Sequence, residues 1–180
     1  MAEIQKLTAK LYTDSDLRLD FLSAPEKIGR RFNLTDKEIA ELAEVLPEEL
    51  NFFAESLFFK RLREVEKLLP RTKKLLSKDL EKYFREFSTT FLPASIKKHL
   101  EDAVRFADFL ITQKIETDFL KDLIRFEQAN LIFHGYGKNF LFRRFRFDVR
   151  NFSTLSTEQQ RKTTISVWLR IGDKSRHFIW

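Results

Sequence analysis

FLFRRFRFDVRNF, Phe140–Phe152, sets five phenylalanines and four arginines within thirteen residues. Phe145, Phe147 and Val149 point one way, and Arg144, Arg146, Asp148 and Arg150 the other. That is the period of a strand. Phe140 and Phe142 fall in the opposite phase, which predicts a bulge or bend near Arg143–Arg144. The aromatic side reads as core. The cationic side is either a solvated face or a surface for an anionic partner.

Downstream, Thr163–Ile171 alternates again, with Ile165, Val167, Leu169 and Ile171 on one face and Ser166, Trp168 and Arg170 on the other. GDKS, Gly172–Ser175, reads as a hairpin turn, and RHFIW as a closing strand. About three antiparallel strands result, a sheet so small that it needs helices against its apolar face.

Upstream of HGYGK, His134–Lys138, the period is near 3.6. TDSDLRLDFLSAP opens with capping residues and stops before Pro25, where a new helix can start. Thr35 and Glu38 form a capping box. Pro47 suits the first turn of the longest helix, with Leu50, Phe53, Leu57, Leu62, Val65 and Leu69 toward the core, and Pro70 ends or kinks it. Leu75 to Phe87 continue the pattern. Ile96 to Ile111 mark another helix, and Phe119 to Leu131 the last. The fold class expected is α+β, with a helical region over 1–134 and a small antiparallel β region over 135–180 packed on it.

Composition narrows the function classes. Hydrophobic residues make up 43% of the 180 residues, enough for a packed core rather than a disordered chain. The absence of cysteine excludes disulfides and thiolate zinc sites. His99, His134 and His177 have no ligand spacing, so neither metal nor cofactor is expected. Neither a phosphate-binding glycine loop nor a nucleophile elbow occurs. The chain is therefore read as non-catalytic. The N-terminus lacks a signal-peptide core, and no apolar run reaches about 20 residues, so a cytoplasmic protein without a membrane span is expected.

The net charge of +6 is unevenly placed. Residues 60–78 hold eight basic against two acidic residues, and 138–180 hold ten against three. The remainder is acidic. FFKRLREVEKLLPRTKKLLSK could grip phosphates, recognise an acidic protein, or be a solvated face laced with pairs such as Glu64 with Lys60. The sheet offers an exposed edge that can accept an extended peptide, with arginines beside it. Alternatively, such charge only guards the edge against aggregation. Lys60, Arg61, Arg63, Arg71, Arg144, Arg146 and Arg170 are the candidate contacts for acidic groups on a partner.

LYTDSDLRLDFLSAPEKIGRRFNLTDKEIAEL, Leu11–Leu42, and FAESLFFKRLREVEKLLPRTKKLL, Phe53–Leu76, resemble signatures of a bacterial family of small helical proteins. LIRFEQANL and VWLRIGDKSRHFIW resemble its late helix and its arginine-bearing end. Some relatives are partner subunits of iron-dependent TIM-barrel enzymes that modify ribosomally made peptides, including in methanobactin biosynthesis. The resemblance implies a helper that docks on such an enzyme and presents a peptide, with no metal of its own. A nucleic-acid-binding regulator and a scaffold for a larger cytoplasmic complex are the alternatives.

Overall fold

The computed structural model describes residues 2–45, 47–115, 117–150 and 161–180. It is an α+β protein whose helices precede a C-terminal three-stranded antiparallel sheet. The chain divides into two compact units, Met1–Arg63 with Arg85–Leu92, and Glu64–Phe84 with Pro93–Trp180.

The first unit opens with α1 (Ala2–Thr13), α2 (Ser15–Ser23), α3 (Pro25–Arg31) and α4 (Asp36–Ala43). Local chemistry sets these boundaries. Asp14 caps α2 by accepting from the Leu17 amide at 2.9 Å. Pro25 occupies the first turn of α3. Thr35 and Glu38 form the expected box, each side chain accepting from the other's backbone amide, at 3.3 and 2.9 Å. The helices bury Leu7, Leu11, Phe21, Ile28, Leu34, Ile39 and Leu42 together. A β-carbon on Gly29 would lie 2.5 Å from Ile39 Cγ1, so only glycine lets α3 and α4 approach this closely.

The longest helix, α5 (Pro47–Leu68), begins at its proline as expected. Its buried stripe is Leu50, Ala54, Phe58, Leu62 and Val65, and Leu69 just beyond the helix is also buried. Phe53 and Leu57, expected inside, are 50% and 39% exposed. The inward row follows the i, i+4 spacing through small Ala54, and the bulkier neighbours are rotated off it. In the same unit Arg85 grips Glu55 with two hydrogen bonds, at 2.8 and 3.2 Å. Its guanidinium lies 4.0 Å from the centre of the Phe58 ring.

The second unit contains α6 (Pro70–Leu76), α8 (Lys98–Thr112), α9 (Asp118–Gly135) and the sheet; α7 (Asp79–Thr90) contributes its N-terminal part. Pro70 starts α6 after a non-helical Leu69, and Ser77 at φ +48° separates α6 from α7. Ile96, expected on α8, lies before it and is fully exposed. The strands are β1 (Phe140–Phe147), β2 (Arg161–Ile171) and β3 (Lys174–Ile179), in spatial order β1-β2-β3. Gly172 holds the first position of the two-residue β2–β3 turn at φ +59°, the conformation that favours glycine there.

α9 organises this unit. Phe126, Ala129 and Phe133 pack on Phe145, Val149 and Trp168. Its polar side chains are tied to three neighbours. Asp122 accepts from the amides of Arg146 and Phe147 near the end of β1. Glu127 accepts from the Arg71 and Thr72 amides at 2.9 and 2.8 Å and from the Thr72 hydroxyl at 2.7 Å, capping α6 from outside. Asn130 accepts from the Trp168 indole at 2.8 Å. The helix ends at HGYGK because Gly137, at φ +66°, lets the Lys138 amide return to the Phe133 carbonyl at 3.0 Å.

The expected bulge at Arg143–Arg144 is absent. Pairing runs unbroken from Phe140↔Leu169 to Phe145↔Thr164, and the register shifts only between Phe145 and Phe147. There Lys162 and Thr163 of β2 stand opposite Arg146 alone. The phase break in the sequence is real, but its cause is different: Phe140 and Phe142 occupy the opposite face of a regular strand.

Burial holds the Glu127 carboxyl above the ordinary range, despite the donors around it. Glu127→Ala leaves two amides of α6 without their acceptor. The expected loss, measured by urea unfolding, is about 3 kcal/mol.

Candidate functional site

Arg144 and Arg146 leave β1 on the side opposite Phe145 and Phe147, where strand alternation puts them. The bulge beside Arg146 opens a cleft of about 400 Å³ lined by Arg125, Arg144, Phe145, Arg146, Arg161 and Thr163. Four arginines from α9, β1 and β2 therefore line one concavity.

Their counter-charges are few. One oxygen of Asp118, at the start of α9, lies 3.8 Å from Arg146 and 3.9 Å from Arg161. Both separations are at the outer limit of an ion pair, and all three side chains are at least half exposed, so each pairing is weak. Arg125 is better held: it lies 3.3 Å from buried Asp122 and 6.0 Å from the centre of the Phe145 ring. Arg144 has no carboxylate partner among the described residues. Among the described residues four positive charges thus face two negative ones. Such a cleft suits a ligand with two or more anionic oxygens, which planar guanidiniums meet with paired hydrogen bonds.

The other candidates expected from the sequence are elsewhere. Arg61 donates to the Phe91 carbonyl at 2.9 Å. Arg63 donates to the Phe59 carbonyl at 3.3 Å within its own helix. Lys60 is exposed on α5. Arg71 reaches the Val149 carbonyl at 3.4 Å and lies over the Phe126 ring, so it straps α6 to the sheet side of its unit. Arg170 is half-buried over the Phe133 ring, its Nε without a hydrogen-bond partner among the described residues. Of the seven, only Arg144 and Arg146 share the cleft. Arg125 and Arg161 were not singled out in the sequence. The first looks like an ordinary basic residue on a helix, and the second is brought round only by the β1–β2 pairing.

A larger depression, about 660 Å³, lies between α3 and α4. Its Arg30 is already paired with Asp36 at 3.3 Å, so it offers no comparable convergence of charge. Among the described residues no group of three or more His, Asp or Glu could hold a metal ion. No helix among them is long and apolar enough to cross a membrane. Compared with protein-family models and with curated proteins, the chain matches none.

His177 lies on the α9 side of the terminal strand β3, exposed to solvent on its outer part, rather than in the cleft. Its ring stacks on Trp168 at 4.3 Å with an interplanar angle of 6°. Burial first, and then the charge of His134, lower its pKa below the usual 6.5. A lowered base contributes stability that is complete above pH 6.5 and is lost as pH falls through the depressed value. Trp168 emission is expected to change with a midpoint below 6.5, and His177→Gln to remove that step. For the cleft, Asp118→Asn frees Arg146 and Arg161, and the affinity for pyrophosphate measured by calorimetry should rise about tenfold at low salt.

Proposed function

We propose that this protein is a non-catalytic binding subunit of the cytoplasm that docks on a partner enzyme and presents a ribosomally made peptide to it. The observation that carries this reading is the convergence of Arg125, Arg144, Arg146 and Arg161 on one cleft with only two carboxylates among the described residues to answer them. The cleft would take acidic side chains of the partner or of the peptide.

Two further features support it. β3 is a terminal strand of the sheet, so its outer edge has backbone groups that an extended peptide can pair with. The sequence resembles a family some of whose relatives serve iron-dependent peptide-modifying enzymes, and the bond-making chemistry is assigned to that partner.

The test is reconstitution. The tagged chain, recovered from its native host, is expected to carry an enzyme in equal amount, and that enzyme to modify its peptide only when the chain is present. Joint replacement of Arg144, Arg146 and Arg161 by Glu should weaken the assembly by about a hundredfold or more. Recovery of the chain alone, or substrate turnover by the chain without a companion, overturns the proposal.

A further inference from the structure

The sheet has two apolar faces, and α9 covers one of them. On the inner face Phe145 and Trp168 meet Phe126, Ala129 and Phe133. The outer face is a regular grid set by strand pairing. Its first row is Phe140, Leu169 and Arg176; its second is Phe142, Val167 and Phe178; its third is Arg144, Ile165 and Trp180. Trp180 belongs to this third row because its amide and carbonyl both pair with Ile165, at 3.0 and 3.2 Å. Phe140 and Trp180 are 59% and 62% exposed, and Phe142 and Phe178 are 47% and 40% exposed. Seven of these nine positions are apolar, the other two are arginines, and none is acidic. So many large side chains in one contiguous exposed patch mark a surface made to be covered.

We propose that this outer face receives an amphipathic helix of a protein partner, its apolar side laid across the grid and its flanks acidic. The proposal deepens the binding-subunit reading and rests on it, since it assigns the partner's contact. Three observations favour this occupant. First, a sheet apolar on both sides is stable between two layers, and the layer already present is a helix. α9 meets the inner face with residues at i, i+3 and i+7, and three grid rows span about 13 Å, which two to three helical turns cover.

Second, the charges select the partner's chemistry. Arg144 and Arg176 stand at opposite corners of the grid, Lys174 lies beyond Arg176, and Arg144 also lines the arginine cleft. The apolar grid therefore runs directly into the cleft, and acidic residues at the end of the docked helix would reach it. A second copy of this chain would bring a grid with no acidic position to answer these arginines.

Third, the column at the centre is aliphatic: Ile165, Val167 and Leu169. Phe178 and Trp180 lie parallel, 6.0 Å apart and 15° from coplanar, so each turns a ring face to the other. Base stacking needs ring faces turned outward. Apolar side chains need only the half-exposed apolar surface these residues make.

Trp180 is a built-in reporter, because the other tryptophan, Trp168, is fully buried. The probe is a synthetic helical peptide of about 18 residues, five turns, with leucines along one side and glutamates flanking them. Its binding is expected to shift Trp180 emission to the blue, and Trp180→Phe to abolish the signal. Phe142→Ser, on an exposed position of a terminal strand, and Val167→Glu, at the grid centre, should each weaken binding at least about tenfold, with unchanged circular dichroism for the first. Arg144→Glu with Arg176→Glu should do the same. Four results overturn the proposal: no shift with the glutamate peptide; an equal shift when its glutamates are replaced by lysines; a shift with octathymidylate or phosphatidylglycerol vesicles but not with the peptide; or a blue Trp180 contribution in the free chain, taken as its spectrum minus that of Trp180→Phe, which marks the face as covered by the chain itself or by a second copy. None of these readouts involves the partner enzyme, so failure here and failure of the reconstitution test are told apart.

Discussion

The second unit depends on buried polar groups carried by one helix. Asp122 and Glu127 of α9 lie inside the protein, where an uncompensated carboxylate is too costly to keep. Their oxygens find most of their donors in the backbone amides of β1 and of the first turn of α6, which must come to them. Those amides gain as well. The first turn of a helix has N–H groups without internal partners, and β1 loses regular pairing where its register shifts. Asn130 adds a third tie by taking the only polar atom of the Trp168 ring. Apolar packing would permit α9 to slide or rotate against the sheet. These directional bonds fix one position.

Fixing α9 decides which face of the sheet is inner. With Trp168 bonded to Asn130 and Phe145 packed on Phe126, β1 and β2 have their phase set. Every second residue then goes outward: Phe140, Phe142 and Arg144 from β1, and Ile165, Val167 and Leu169 from β2. A one-residue slip would exchange these sets and bury the arginines. The exposed apolar grid and the cleft are both consequences of a core built elsewhere. Beyond the bulge opposite Arg146, Arg161 pairs with Phe147 and lines the same cleft as Arg144 and Arg146.

In the proposed reading the protein combines an apolar surface for contact area with an arginine cleft for selectivity. Apolar burial attracts many partners and distinguishes few, whereas clustered arginines reject any partner that brings no acid. In the proposed reading, the two features act on one partner because Arg144 belongs to both. The weak grip of Asp118 on Arg146 and Arg161 fits that use, since loosely held counter-charges are easily replaced by a ligand's own.

Much of the architecture was legible in the chain because its causes are local. Capping residues, prolines at 25, 47 and 70, the glycine that ends α9 and the change of period after it each act within one turn or one strand. These alone set the helices, the hairpin and the α+β class. The chain also showed that Phe140 and Phe142 are out of phase with Phe145, but not that they stay on a straight strand facing outward. That depended on Asp122, Asn130 and Trp168, which are far apart in sequence and meet only when the unit has folded. The same holds for the cleft. Arginines cannot be sorted into internal straps, such as Arg61 and Arg71, and cleft residues without a carboxylate partner among the described residues, such as Arg144, by spacing alone. Their roles follow from which carbonyls, rings and carboxylates the tertiary structure brings within about 4 Å of them, the range over which charge pairing is decided.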